Sequence, residues 1–465
     1  MYDTLIIGAG MSGLAAGIRL AYFDQKVCVL ERHTTIGGLN SFYRLRGRDF
    51  DVGLHAVTNF TPKGAKKGPL ARLLRQLRFK WDDFALAPQI GSRVAFPGVK
   101  LEFANDIGLL ESEVARAFPK QKDNFQRLLG AIVDYDDLND ELFRLSTRAR
   151  LAEIFDDPLL VEMLLCPLMW YGNAREDDMD WGQFCIMFRS IYLEGMARPF
   201  RGVRLILKHL VKRFRELGGE LRLRSGVKRI LVDGERAVGV ELDDGTQLQA
   251  RNILSSAGLV ETMRLCDDLS RVEPHRAGQL SFVETMSILN VQPKTLGHDR
   301  TIVFFNDGDK FDWRRPRDGR LVDLRTGVIC SPNNFLYDSA DGQLDEGVIR
   351  ITAIADFDAW AALSEDQYRL EKLRWYDRTA AAACRFMPDF RGHVVDTDMF
   401  TPTTIRRFTW HDNGAVYGAP EKRLDGATHL KNLFLCGTDQ GFVGIIGSIV
   451  SGISMANMHC LTGEG

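Results

Sequence analysis

The 465-residue sequence predicts an α/β protein whose Rossmann-type sheet is assembled from both ends of the chain, with an α+β domain inserted between them. Three observations carry this expectation. A strand, a glycine turn and a helix open the chain, a second such unit closes it, and a strand meander in the middle returns to a buried strand.

Leu5-Ile6-Ile7 is a short apolar run of the kind that forms a parallel strand buried on both faces. Gly8-x-Gly10-x-x-Gly13 follows directly, and Leu14 to Leu20 reads as a helix of small and apolar residues. In that arrangement Gly8 allows the tight turn, Gly10 lets a pyrophosphate approach the backbone, and Gly13 lets helix and strand pack closely. The phosphates would meet free N–H groups at the positive end of the helix. A second strand, Lys26 to Leu30, ends in Glu31. That is the distance, about 20 residues on, at which an acid binds a ribose hydroxyl. A lone glycine motif also arises from packing alone, but here strand, spacing, helix and terminal acid agree. Glu31 disfavours a 2′-phosphate, hence NADP, and leaves NAD and FAD open.

Gly37-Gly38-Leu39-Asn40 and Phe50-Asp51-Val52-Gly53-Leu54-His55 come next. Bare backbone just beyond the ribose acid suits a second nucleotide half, which a simple NAD domain does not need; by themselves the two glycines are a plain turn. Strands are expected at 221–223, 227–232, 237–241 and 247–250 as one antiparallel sheet, with turns at Asp233-Gly234 and Asp244-Gly245. Asn252 to Gly258 then returns to a buried strand, and Val227 is placed to touch an adenine through its backbone. At the far end Leu433 to Cys436 is another buried strand, and Gly437 and Gly444 lead into an uncharged helix. The N-terminus of that helix could face a ring that becomes negative on reduction. Together the two ends point to one long cofactor, FAD.

These features resemble the two-dinucleotide-binding flavoproteins, the family of amine oxidases and carotenoid desaturases. Within it, Thr401-Pro402 through Arg407, Thr409, Gly414 and Tyr417-Gly418 resembles the segment before the flavin helix in phytoene desaturases, carotenoid isomerases and retinol saturases. The resemblance covers the two ends and the centre, about half of the chain. It implies a non-covalently held FAD contacted by Gly8, Gly10, Gly13, Glu31, Arg32, Gly37, Gly38, Leu39, Asn40, Val227, Gly437, Asp439, Gly444, Ile445 and Ser448. It also implies oxidoreductase chemistry on carbon–carbon bonds of a long isoprenoid or polyene, in an apolar channel with few polar groups. His55, Arg407 and His411 are the candidate catalytic or flavin-side residues. His55 is either a general base or a hydrogen-bonded structural histidine, while Arg407 and His411 read more readily as fixing the loop before the flavin strand. The short Gly437-Thr-Asp-Gln-Gly441 departs from the longer insertion of bacterial phytoene desaturases, which leaves desaturation, saturation and isomerisation open.

The expected FAD-binding domain is discontinuous, at 1–75, 200–270 and 400–465. The substrate domain comprises 76–199 and 271–399, with helices over 105–200 and strands near 281–292 and 348–355. The apolar run Leu159 to Tyr171 reads as a buried helix; the alternative is the wall or mouth of a lipid tunnel resting on a membrane. Net charge is −2, so no nucleic-acid partner is expected, and the basic stretch Arg198 to Arg229 reads as a solvated helix face. The eight cysteines show no metal-like clustering and fit a cytoplasmic protein, peripheral on the inner face of the membrane if its substrate is a lipid. Gln440 to Leu461 lacks charged residues but is rich in Gly and Ser, and is assigned to the cofactor rather than to a membrane span. Two other functions compete. A flavin amine oxidase would need an aromatic pair before the flavin, for which Trp410 and Tyr417 are the hints, and a flavin-holding binding protein would never turn over.

Overall fold

Strand Tyr2–Ile7 is the hub of the first sheet, pairing in parallel with Val27–Leu30 on one side and Gln247–Ser255 on the other. The structure, a computed structural model, describes residues 1–136, 143–266, 277–338 and 342–461. Leu433–Leu435 adds beyond Gln247–Ser255, and Glu220–Arg222 beyond Val27–Leu30, so five parallel strands bring both chain ends into one sheet. Tyr2–Ile7 and Val27–Leu30 are almost wholly buried, which is why they read as continuous apolar runs rather than alternating ones. Val227–Asp233, Arg236–Leu242 and the start of Gln247–Ser255 form the antiparallel meander. The strand expected at 221–223 in that meander is instead Glu220–Arg222, an edge strand of the parallel sheet, because three residues carry no period that separates the two roles.

Helix Met11–Ala21 crosses the terminal helix Gly444–Met455 at backbone contact. A Cβ on Gly452 would lie 2.0 Å from the Ser12 carbonyl oxygen. The run Gln440 to Leu461 therefore packs helix Gly444–Met455, continued by a π-helical turn Ala456–Cys460, against the N-terminal helix, and among the described residues no helix is long and apolar enough to cross a membrane. Helix Val203–Glu216 buries Val203, Ile206, Leu207, Leu210 and Phe214 and turns Lys208, Lys212 and Arg215 outward. Arg198, at the start of this basic stretch, corrects the expectation of a solvated face: it is buried and bonded to Asp51.

The second sheet has seven strands, in the order 394–400, 281–289, 347–355, 322–330, 302–306, 92–96 and 99–103. Helices Ile107–Ala117, Lys122–Val133, Thr147–Ile154, Pro158–Gly172 and Trp181–Phe188 cover it through one large apolar core. The core under the nucleotide sheet takes in Leu77, Phe79, Phe84 and Leu86, so it runs past residue 75. The boundary expected at 270 to 271 lies outside the described residues.

Candidate active site

Two cavities meet along one wall. The first, about 140 Å³, is lined by Gly8, Gly10, Met11, Ser12, Glu31, Arg32, Gly37, Gly38, Val227, Trp410, His411 and Gly437, among others. The second, about 420 Å³, is lined by Tyr43, His55, Trp170, Tyr171, Phe282, Glu284, Thr352, Phe400, Tyr417, Gly444 and Ile445, among others. Gly38, Leu39, Asn40, Phe408, Thr409, Thr438 and Ser448 belong to both.

The first cavity has the form a dinucleotide needs. Gly10 would give a Cβ nothing to meet within 4 Å, whereas one on Gly13 would lie 2.1 Å from the Gly8 carbonyl oxygen. Gly10 thus faces open space and Gly13 holds helix against strand. Gly8 and Gly37 adopt φ of +97° and +108°, a conformation that favours glycine. Glu31 accepts from the Ala9 amide at 2.9 Å and the His33 amide at 2.9 Å, which fixes its carboxylate at the cavity edge. Arg32 lies 4.3 Å over the Trp410 ring and donates to the Val227 carbonyl at 2.9 Å. The Val227 carbonyl is therefore committed to Arg32. Buried His33 Nε2 has no hydrogen-bond partner among the described residues, and His33 lines the cavity.

His411 also belongs here, away from His55. Its Nδ1 faces Glu261 Oε1 at 3.6 Å. Burial works against its protonation, but Glu261 outweighs burial and raises the imidazole above its ordinary value. Arg407 is exposed, with its guanidinium 5.6 Å from the Phe408 ring centre, and lines neither cavity. It sits on helix Pro402–Thr409, where a loop was expected. Asp439, 2% exposed, accepts from the Leu259 amide at 2.6 Å and the Ala419 amide at 2.8 Å, so it ties backbone segments together and lines neither cavity.

The second cavity is mainly aromatic and aliphatic. The helix Pro158–Gly172 is buried as expected for a core element, and its last turn gives Trp170 and Tyr171 to the chamber wall. Tyr417 donates to the Trp170 carbonyl and its ring lies 5.9 Å from that of Phe282. Val443, Gly444, Ile445 and Ser448 place the N-terminal turn of the terminal helix on the same chamber. Trp410 and Tyr417 lie in different cavities and form no facing pair.

Two polar clusters interrupt the chamber wall: Lys372 faces Asp398 at 3.6 Å, with the Tyr43 hydroxyl donating to Asp398 at 2.6 Å, and a second cluster surrounds His55. Its Nε2 lies 3.0 Å from Thr352 Oγ1 and 3.6 Å from Glu284 Oε1. Glu284 and Thr352 stand opposite each other on adjacent strands, and Arg350, two residues from Thr352, shares their face. Arg350, 2% exposed, donates from Nε to Glu284 and from Nη1 to the Leu54 carbonyl at 2.6 Å. Arg198 donates to the Leu54 carbonyl at 2.7 Å and the His55 carbonyl at 3.2 Å, and to Asp51 at 2.7 Å. Burial lowers the His55 imidazole, and Arg350 and Arg198 add to that against the pull of Glu284. Burial opposes ionisation of Glu284, yet Arg350 and His55 hold its carboxyl at about 2. An ionised pair thus sits beneath a neutral imidazole.

Glu284, Arg350 and Thr352 were missed in the sequence. The available signal was a lone acid and a lone base inside otherwise apolar strands, which at full burial must be paired.

These residues fit FAD. The open glycine backbone at Gly10 and Gly38 and the ribose-side acid suit the dinucleotide half, and the helix start at Gly444 suits the ring half. Cys436 lines neither cavity, and burial pushes its thiol up to about 12, so no reactive thiolate of the flavin strand is available for a covalent link.

Comparison with known proteins agrees. The sequence profile of flavin containing amine oxidoreductases matches residues 11–457, and the chain belongs to that family. It is 23% identical over 500 residues to a chloroplastic prolycopene isomerase of Daucus carota, covering 100% of this chain and 77% of that protein. All-trans-retinol 13,14-reductase of Danio rerio is 21% identical, covering 98% and 85%. A neurosporene-forming phytoene desaturase of Rhodobacter capsulatus is 27% identical over a shorter stretch, 57% of this chain and 54% of that protein. Among solved structures, an oxidoreductase from Methanosarcina mazei superposes with a TM-score of 0.67 at 16% identity, covering 98% of this chain and 100% of that one. Cyclohexylamine oxidase from Brevibacterium oxydans gives 0.65 at 14%, covering 99% of both. The protein is an FAD-dependent enzyme with a Rossmann-type FAD domain and a substrate domain.

Proposed function

We propose that this member of the flavin containing amine oxidoreductases acts on carbon–carbon bonds of a long hydrophobic isoprenoid or polyene, as a desaturase, isomerase or saturase. The observation that carries the reading is the aromatic chamber of about 420 Å³ that shares the Gly38–Asn40 and Ser448 wall with the nucleotide cavity. The chamber's aromatic and aliphatic walls desolvate an apolar chain, and its charged side chains are paired, Glu284 with Arg350 and Asp398 with Lys372. Residues 1–75, 200–270 and 400–465 serve the cofactor in this reading, and 76–199 with 271–399 serve the substrate. Gly8, Gly10, Glu31, Arg32, Gly37, Gly38, Leu39, Asn40, Val227, Gly437, Gly444, Ile445 and Ser448 hold the FAD, with Gly13 and Asp439 shaping that site from behind.

When bound, FAD supplies a two-electron acceptor or donor at the shared wall. Desaturation removes a hydride from one carbon and a proton from its neighbour as the double bond forms. His55 is the group placed to take the proton: it lines the chamber, and among the described residues its ring is hydrogen-bonded through Nε2, to Thr352. Its lowered proton affinity keeps the ring neutral and ready to accept. Aromatic walls exclude water. Peripheral membrane contact would deliver such a substrate, and exposed Phe408, which lines both cavities, lies beside exposed Arg406 and Arg407.

The amine-oxidase alternative is disfavoured because the acids lining the chamber, Glu284 and Asp398, are already paired with Arg350 and Lys372. Product analysis tests the proposal. FAD-loaded protein is incubated with liposomes carrying phytoene or another C30–C40 isoprenoid plus an electron acceptor, and separately with cis-polyenes after chemical reduction. A gained double bond, a lost one or an altered geometry supports it. Unchanged lipids together with turnover of an amine would overturn it.

A further inference from the structure

The Thr352 hydroxyl cannot decide which nitrogen of His55 carries the proton. At 3.0 Å from Nε2 it can accept from an N–H or donate to a lone pair, so either tautomer satisfies it. The fixed charge behind it can decide. Glu284 Oε1 lies 3.6 Å from Nε2, too far for a hydrogen bond but close enough that a lone pair there would face a carboxylate.

We propose that Glu284 is the positioning residue of the site: its carboxylate, locked by Arg350, holds the proton on His55 Nε2 and leaves the Nδ1 lone pair facing the chamber. The inference rests on the reading of His55 as the proton acceptor.

Three further observations support it. Glu284 is 7% exposed and Arg350 2% exposed, so water does little to screen the pair. Arg350 also grips the carbonyl of Leu54, the residue before His55, so the guanidinium fixes the carboxylate and the backbone that carries the imidazole together. Arg198 grips the Leu54 and His55 carbonyls from a second side, itself anchored on Asp51. The Cys330 thiol reaches the His55 carbonyl at 3.7 Å and leaves the ring untouched. Glu284, Arg350 and Arg198 weigh most on this ring, and Glu284 is the carboxylate nearest Nε2; Asp51 stands behind Arg198, and Asp398 on the chamber wall is paired with Lys372. In the reaction, Nδ1 gains the proton leaving carbon, the imidazolium then has N–H on both nitrogens, and its charge sits beside the Glu284 carboxylate.

The direct test needs no substrate. Histidine-selective 15N NMR of the FAD-loaded protein near neutral pH, with His55→Asn to assign the resonance, should show Nε2 protonated and Nδ1 bare. Glu284→Gln should shift the population towards Nδ1–H, while Thr352→Val should leave it in place. A wild-type ring protonated on Nδ1 overturns the proposal, and that spectrum decides even if Glu284→Gln fails to fold. So does a Glu284→Gln protein with an unchanged tautomer. Turnover gives the second readout. Glu284→Gln should lower kcat about 10- to 100-fold with KM little changed. Its acid limb should move to lower pH, because the carboxylate that raised the imidazole is gone. An unaltered kcat and limb would also overturn it. Absence of polyene turnover in the wild type would sink the proposed substrate class while leaving the tautomer result standing.

Discussion

The guanidinium of Arg32, at the end of the second strand, lies 4.3 Å over the indole of Trp410, near the far end of the chain. The contact closes the nucleotide cavity from both halves of the sequence. A cation over an indole contributes about 0.5–2 kcal/mol depending on desolvation. Trp410→Ala should therefore weaken FAD binding by up to about 30-fold. Arg32→Ala should do at least as much, because the Val227 carbonyl also loses its donor. Flavin fluorescence titration of apoprotein measures both; unchanged affinity in both variants would remove the contact from cofactor binding.

Two glycines of one motif should behave in opposite ways. Gly10→Ala finds nothing within 4 Å and retains an ordinary φ of −75°, so apoprotein stability should hold while FAD affinity falls. Gly13→Ala sets a Cβ 2.1 Å from the Gly8 carbonyl oxygen and should cost about 1–3 kcal/mol of stability. Thermal unfolding of the two apoproteins separates the roles.

His411 makes stability depend on pH. Its folded imidazole lies above the ordinary 6.5, so its contribution is complete below about 6.5 and is lost as pH rises through the folded value. Glu261, held below its ordinary 4.5 despite burial, contributes above that value and loses its share on acidification. The pair should stabilise most between these limits. The Tm gap between wild type and His411→Asn should be widest near pH 6 and narrow as pH rises through the raised folded value of the imidazole. A constant gap would show that His411 contributes through packing alone.

Filling the chamber should separate substrate from cofactor. Ile405 lines the second cavity only and is partly exposed. Ile405→Trp should leave FAD content unchanged and raise KM for a liposomal polyene about 10-fold or more. Loss of FAD with no change in KM would argue that the substrate binds elsewhere.

Much of this architecture was legible because the cofactor half is built from local rules. Gly8 to Gly13, Glu31 and Gly437 to Ser448 each sit in a short strand–turn–helix unit whose spacing carries its meaning. The chamber is not local. His55 acquires its role from Glu284, Arg350 and Thr352, which strand pairing alone brings together. Nothing in the segment around Trp410 distinguishes a wall of the nucleotide cavity from a wall of the chamber; the left-handed φ of +66° at Trp410, at the end of helix Pro402–Thr409, turns it to the former. Asp439 looked like a cofactor contact because it adjoins Gly437, yet its carboxylate turns back onto the Leu259 and Ala419 amides.

The central claim is that one FAD spans both cavities and meets an apolar chain in the second. Anaerobic absorbance of the FAD-loaded protein tests it most directly, during titration with liposomes carrying a C30–C40 isoprenoid. Bleaching, or a saturable shift of the flavin bands that Ile405→Trp abolishes, is the predicted result. A spectrum unmoved by every polyene but bleached by a primary amine would contradict the account.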